Sequence, residues 1–345
     1  MIGMRQTPGL SRFFILVFSF FVAYPVQAQG VGASDEKRQA QAWLKKIQAA
    51  AVKLSYSGTF VYQQGEQFRT SRITHVKIGK NEYEKLEVLD GKPREYIRTN
   101  NEIICYVPDS KTVLIEKRVT QEVFPALPNA NPARLGDYYR LSKGGVGRVA
   151  GYRTQAILLE PRDNLRYGYR LWAEQNTGLL LRAQTLNGKG EVVEQIAFTQ
   201  IEIGKINRSR TRSSITNTQG WHVERAEMET STSSGWSVKS MPPGFRKIRE
   251  VKRLVTNAPN ASASGRSGSQ AQSPREMSQM VYSDGLAAIS IFIEPGGASR
   301  TEGYMQQGAM NIAAKRQGEF WLTIVGEVPA VAIKQVANSI EFKSR

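Results

Sequence analysis

From Tyr56 to Glu202 the chain is built from two groups of short runs with period two, bounded by Gly, Pro and Asn, and their close spacing limits the fold more than any other feature. The first group is Tyr56 to Gln63, Arg69 to Ile78, Tyr83 to Leu89, Pro93 to Thr99, Glu102 to Val107 and Thr112 to Arg118. The second is Thr154 to Glu160, Arg166 to Ala173, Leu179 to Leu186 and Glu191 to Glu202. Parallel neighbours need a crossover of about a dozen residues or more, so strands this close together pair antiparallel, as a meander. Asn176-Thr177-Gly178 and Asn187-Gly188 supply turn residues for two of the hairpins.

A large sheet must cover one face. Ser34-Asp35-Glu36 offers a capping hydroxyl and two acids ahead of Ala40, Trp43, Leu44, Ile47, Ala51 and Leu54, which recur at helical steps, so a helix starting near Ser34 is the expected lid. Trp43 and Leu44 are read as core contacts.

Beyond residue 210 the pattern changes. A polar stretch over residues 211–218 is expected to link a large domain, 29–210, to a smaller one, 219–345. Within the latter, residues 256–278 are rich in Ser, Ala, Asn, Gln, Gly and Pro and read as a flexible loop. Gln279 to Ser283 and Leu286 to Ile293 flank the turn pair Asp284-Gly285, and Phe320 to Val325 adds a strand. Met305 to Ala314 and Pro329 to Phe342 read as helices, the second with Pro329 at its start and Ile333, Val336, Ala337 and Ile340 on one stripe. The expected class is α+β: a large antiparallel sheet with helical cover, and a small α+β domain.

Residues 1–28 carry Arg5 and Arg12, an apolar run from Phe13 to Ala23 and a small residue at Ala28, the pattern of a secretory signal peptide whose apolar run is short for a bilayer of ~30 Å. Export to the periplasm of a bacterial envelope is the expectation. The chain bears a formal net charge of +17, and residues 29–220 carry 30 basic against 19 acidic side chains. Retained in the cytosol, such a charge would suit nucleic acid; outside the inner membrane it suits anionic lipid headgroups or an acidic protein segment instead.

Little in the sequence points to catalysis. One cysteine, Cys105, and two histidines, His75 and His222, form neither a disulfide nor a metal cluster. No G-x-x-x-x-G-K-[ST], H-E-x-x-H or G-x-S-x-G occurs. Gly145-Val146-Gly147-Arg148-Val149-Ala150 matches a dinucleotide fingerprint, but a strand, not a helix, follows it, so no cofactor is expected. Cys105 reads as a small buried residue and His75 as a surface one.

Aromatic and basic residues gather around residues 138–172. In a strand over Arg166 to Ala173, alternation sends Tyr167, Tyr169 and Leu171 to one face and Arg166, Arg170 and Trp172 to the other. Two readings stand: an ordinary sheet with an apolar inner and a basic outer face, or a concave aromatic surface that accepts acyl chains while rim arginines hold anionic headgroups.

The chain resembles the RseB/MucB family of periplasmic regulators of the envelope-stress sigma factor. The likeness rests on Tyr56-Ser57-Gly58-Thr59-Phe60-Val61-Tyr62, Gly147-Arg148-Val149-Ala150-Gly151-Tyr152, Pro161-Arg162-Asp163-Asn164-Leu165-Arg166-Tyr167-Gly168-Tyr169-Arg170-Leu171-Trp172 and Thr177-Gly178-Leu179-Leu180-Leu181. It continues through Glu194-Gln195, Pro242-Pro243-Gly244-Phe245, Tyr282-Ser283-Asp284-Gly285-Leu286 and Val325-Gly326-Glu327-Val328-Pro329. The resemblance implies a lipoprotein-carrier-like half-barrel joined to a smaller domain. It implies a non-enzymatic negative regulator that binds the periplasmic region of a single-pass anti-sigma factor and shields it from the first proteolytic cut. Release would follow when lipopolysaccharide or mislocalised lipoprotein is sensed. A lipid or lipoprotein carrier is the alternative, though it gives the second domain no evident use. Self-association is left open. The residues expected in the groove are Phe60, Tyr62, Tyr167, Tyr169 and Leu171, with Arg166 and Arg170 for charge; Tyr282, Asp284 and Leu286 are expected at the partner surface.

Overall fold

The computed structural model describes residues 29–100, 102–117, 124, 131–226, 229–230, 234–255, 275–296 and 300–342. The signal peptide expected over 1–28 and most of the loop expected over 256–278 lie outside them. The last residues of that loop are described, and they are strand: β16, below, begins at Arg275.

Helix α1 spans Gln29–Lys53, starting earlier than the Ser34 cap suggests, and buries Ala40, Leu44, Ile47, Ala50 and Ala51 along one stripe. The strands that follow are β1 (Tyr56–Gln64), β2 (Gln67–Ile78), β3 (Asn81–Val88), β4 (Arg94–Thr99), β5 (Glu102–Val107) and β6 (Thr112–Lys117). After the short helix α2 (Pro132–Tyr138) come β7 (Tyr139–Val149), β8 (Tyr152–Pro161), β9 (Gly168–Glu174), β10 (Leu180–Leu186), β11 (Val192–Ile203) and β12 (His222–Ala226). These form one 12-stranded sheet in the order β12-β6-β5-β4-β3-β2-β1-β11-β10-β9-β8-β7. It is two meanders joined where β1 pairs with β11. One pair departs from the antiparallel expectation: β12 lies parallel to β6, so the large sheet takes in residues past the 211–218 stretch.

Sequence dictates where this sheet bends. Ladder irregularities fall at Thr59/Phe60, Lys143/Val146 and Thr185/Leu186, and such bulges sharpen local twist. Gly58 is required beside the first of them, because a Cβ there would stand 2.6 Å from the Gln200 carbonyl oxygen. The Gly145–Ala150 run lies in β7 and the hairpin that follows, where Ala150 and Gly151 both have positive φ, the geometry of a tight turn between twisted strands. Gly147 leaves room for the Trp172 ring. Packing accounts for Gly147 alone, since Gly145 has open space where a Cβ would stand. Helix α1 lies across β7, β8 and β10, and Lys46 Nζ on that helix donates to the Gln175 carbonyl at 2.7 Å.

The second domain holds β13 (Glu229–Thr230), β14 (Trp236–Val238), β15 (Arg246–Val255), β16 (Arg275–Ser283), β17 (Ala288–Pro295), β18 (Gly303–Gln307), β19 (Met310–Gln317), β20 (Phe320–Gly326), α3 (Ala330–Ala337) and β21 (Ile340–Phe342). Its seven-stranded antiparallel sheet runs β13-β15-β16-β17-β20-β19-β18, and α3 packs on β19 and β20. Ile289, Ile291, Leu322, Ile324, Ile333 and Val336 are its fully buried centre. The helix expected over Met305 to Ala314 is instead the β18–β19 hairpin. Gly308 turns it at φ +56, and Asn311 and Ala313 point inward two residues apart. The helix expected over Pro329 to Phe342 stops at Ala337, since Ile340 to Phe342 pair with Trp236 to Val238.

Two single residues bear on these expectations. Cys105 is buried, as expected, and burial raises its thiol pKa. His75 is not at the surface: it is 1% exposed, stacked on Tyr56 at 5.0 Å, with Nδ1 2.8 Å from the Leu54 carbonyl.

Candidate functional site: an interdomain clasp and cavity

The loop between β8 and β9 carries Asp163 and Arg166. Asp163 Oδ1 accepts from the Leu165 amide and from Arg166 Nε, both at 3.0 Å, which sets the guanidinium direction locally. Arg166 Nη1 then donates to Asp284 Oδ2 at 2.8 Å and Nη2 to the Pro243 carbonyl at 2.7 Å, both in the second domain. Tyr139 OH donates to the same Asp284 oxygen at 2.9 Å. The other oxygen, Oδ1, accepts from the amides of Leu286 and Ala287, holding the β16–β17 turn. The guanidinium also lies over the rings of Tyr138, Tyr139 and Phe245, at 5.0, 5.5 and 5.7 Å. Burial opposes its charge, but the bond to Asp163 and the neighbouring Asp284 outweigh that and raise its pKa.

Further contacts join the domains along one seam. Asn311 Nδ2 donates to Tyr167 OH at 3.1 Å. Gln64 Nε2 donates to the Gln307 carbonyl at 2.9 Å, its stem packed where a Cβ on Gly308 would stand. Glu194, on β11, accepts from Tyr62 OH on β1 and from the Ala309 amide across the seam.

Between these contacts lies a half-open cavity of about 160 Å³, lined by Tyr169, Leu171, Leu180, Ala183, Thr185, Glu194, Gln195 and Ile196 from the large sheet, by Phe124, and by Leu286 and Glu327 from the second domain. Strand alternation explains the wall, because Tyr169, Leu171, Ala183, Thr185, Glu194 and Ile196 are cross-strand partners on one face. Burial raises the Glu194 pKa. Glu327 stands at the mouth, in contact with solvent, yet the protein crowded around its carboxyl and the nearby Glu194 push its pKa up to about 7.

The expected groove residues divide. Tyr169 and Leu171 line the cavity. Tyr62 shares their face and holds Glu194. Phe60 is in the core behind it, against Phe124 at 5.5 Å and Phe198 at 5.8 Å. Tyr167 precedes β9 and is taken up by the second domain. Of the two expected arginines, Arg166 is buried in the clasp, and Arg170 sits on the face of β9 opposite Tyr169 and Leu171, where alternation sends it, paired across to Leu158 and Gln184. Among the expected partner residues, Tyr282 is 8% exposed in the second core and Asp284 is in the clasp, so neither offers an outer surface; Leu286 packs onto the first domain's core and lines the cavity. Glu194, part of the family likeness but not expected in the groove, occupies an inward position two residues before Ile196, itself two before Phe198, an alternation that marks an inward acid. Glu327 also lies in a segment of the family likeness, but nothing in that segment points to the cavity, to which only tertiary packing brings it.

Known proteins share this two-domain layout. The family description "MucB/RseB N-terminal domain" matches residues 39–228, and "MucB/RseB C-terminal domain" matches residues 230–341. The chain belongs to the MucB/RseB family. It is 30% identical over 332 residues to the sigma factor AlgU regulatory protein MucB of Pseudomonas aeruginosa, covering 94% of this chain and 96% of that one. It is 26% identical to the sigma-E factor regulatory protein RseB of Haemophilus influenzae, covering 90% of this chain and 94% of that one. The crystal structure of MucB in complex with MucA(peri) superposes with a TM-score of 0.68 at 27% identity, over 89% of this chain and all of that one. MucB crystallised without a named partner gives a TM-score of 0.64 at 26% identity, over 88% and 98%. The family is one of regulatory, binding proteins.

Proposed function

We propose that this chain is a periplasmic negative regulator of an extracytoplasmic-stress sigma factor, binding the periplasmic region of a single-pass anti-sigma factor and shielding it from proteolysis. Full-length similarity to MucB, which is known in complex with MucA(peri), carries this reading. Release follows when an acyl chain, of lipopolysaccharide or of a mislocalised lipoprotein, enters the cavity. A ligand shifts such an equilibrium only through different affinity for the two states. The cavity meets that requirement because both domains build its wall, so any change in their angle changes what a ligand touches. A simple carrier has no use for a wall completed by a second domain.

Co-purification of residues 29–345 with the purified periplasmic region of the cognate anti-sigma factor tests the reading. A stable complex supports it, and no binding at micromolar concentration contradicts it.

A further inference from the structure

The cavity is apolar except at one corner, and that corner lacks a positive charge. The Tyr169 hydroxyl and Glu194 Oε2 are buried there without hydrogen-bond partners among the described residues. Glu327 adds a second carboxyl from the other domain. No Lys or Arg among the described residues is recorded in an ion pair with either acid, and the Arg166 guanidinium that faces Tyr169 is committed to Asp163 and Asp284. Buried polar atoms are rarely left unpaired without a reason.

We propose that the cavity takes an amphiphile bearing a primary amine, with its ammonium between Glu194 of the first domain and Glu327 of the second and its alkyl part against Leu171, Leu180 and Ile196. The inference rests on the ligand-sensing reading above and narrows it, since the two acids favour an acylated guest with a free amine over the phosphates of lipopolysaccharide. A primary ammonium has three donors and no acceptor, matching Glu194 Oε2, the Glu327 carboxyl and the Tyr169 oxygen. A hydroxyl head leaves one of these oxygens bare, and a phosphate or carboxylate head meets two like charges. The volume of about 160 Å³ holds on the order of ten waters, ample for a short alkyl chain. The raised Glu327 pKa is consistent with a site where an added cation is favoured. The long-range field of a chain with net charge +17 opposes a cation. Salt screens that field more than it screens the contact itself, so the amine preference persists at high ionic strength.

Calorimetric titration of residues 29–345 at about pH 7.5 with octylamine, 1-octanol and octanoate tests this, using the unaltered chain, Glu327→Gln and Glu194→Gln. The proposal expects octylamine to bind about tenfold tighter than 1-octanol, the factor that one charge-assisted hydrogen bond supplies, and the ratio to fall towards one in both variants. Glu327→Gln lies at the solvent-exposed mouth and leaves the core untouched, so its result stands even where Glu194→Gln unfolds. Equal binding of amine and alcohol, tighter binding of octanoate, or a ratio unchanged in Glu327→Gln overturns the proposal. So does equal affinity for acetyl-lysine amide, which assigns the corner to a peptide side chain. Alcohol binding without an amine preference sinks the head-group assignment while leaving the proposed function intact; failure of the anti-sigma co-purification does the reverse.

Discussion

Arg166 and Asp284, 118 positions apart, meet at 2.8 Å across the seam between the two domains with neither side chain exposed to solvent. A buried pair of this kind adds little over an apolar replacement, but breaking it strands a charge. Its contribution is therefore to geometry more than to net stability.

Removing one partner is costly. Asp284→Asn keeps an oxygen for the Leu286 and Ala287 amides but leaves Arg166 with Asp163 as its one acidic partner, so unfolding in urea is expected to be easier by about 3 kcal/mol. Arg166→Met in the same chain restores part of that loss, because the stranded charge goes with it. A double-mutant cycle showing simple additivity contradicts the clasp.

The cavity carboxyls give a pH signature of definite sign. The Glu327 pKa, raised from 4.5 to about 7, makes the folded state favour the protonated form, so this group's stabilisation is full below 4.5 and is lost as pH rises through 7. His75 acts oppositely: burial lowers its pKa below 6.5, and stability falls as pH drops through 6.5. The difference between the unaltered chain and Glu327→Gln isolates the first effect. The unaltered chain is expected to lose stability relative to Glu327→Gln between about pH 5 and pH 8, and a pH-independent difference contradicts the assignment.

Gly58 makes the first bend of the large sheet. In Gly58→Ala the new methyl meets the Gln200 carbonyl at 2.6 Å and the Phe198 ring at 2.8 Å. The cost is expected to be ~1–3 kcal/mol in thermal or urea unfolding, as for overpacked cores, and a neutral effect shows that β1 and β11 can part without penalty.

Much of the large sheet was legible in the sequence because period-two alternation and turn chemistry are local. Asn187 Oδ1 accepting from the Lys189 and Glu191 amides is that chemistry realised. The β18–β19 hairpin was misread because Met305, Ala309 and Ile312 also fit a helical step, and only Gly308 at positive φ decides between the two. The clasp was harder. Asp284 reads as a turn residue, which it is, and nothing within ten residues says that its second oxygen meets Arg166. Arginines look solvated in sequence, so Arg166 was expected at a rim; the acid that buries it comes from another domain.

The proposed sensing turns on coupling between the cavity and the proposed grip on an anti-sigma factor. Ala183→Trp fills the cavity from β10 without touching the clasp. The deciding measurement is the amount of anti-sigma periplasmic region retained on the immobilised chain as a purified acylated lipoprotein is added. The unaltered chain is expected to release its partner as the ligand rises, and Ala183→Trp to keep it; release to the same extent from both contradicts a cavity that senses.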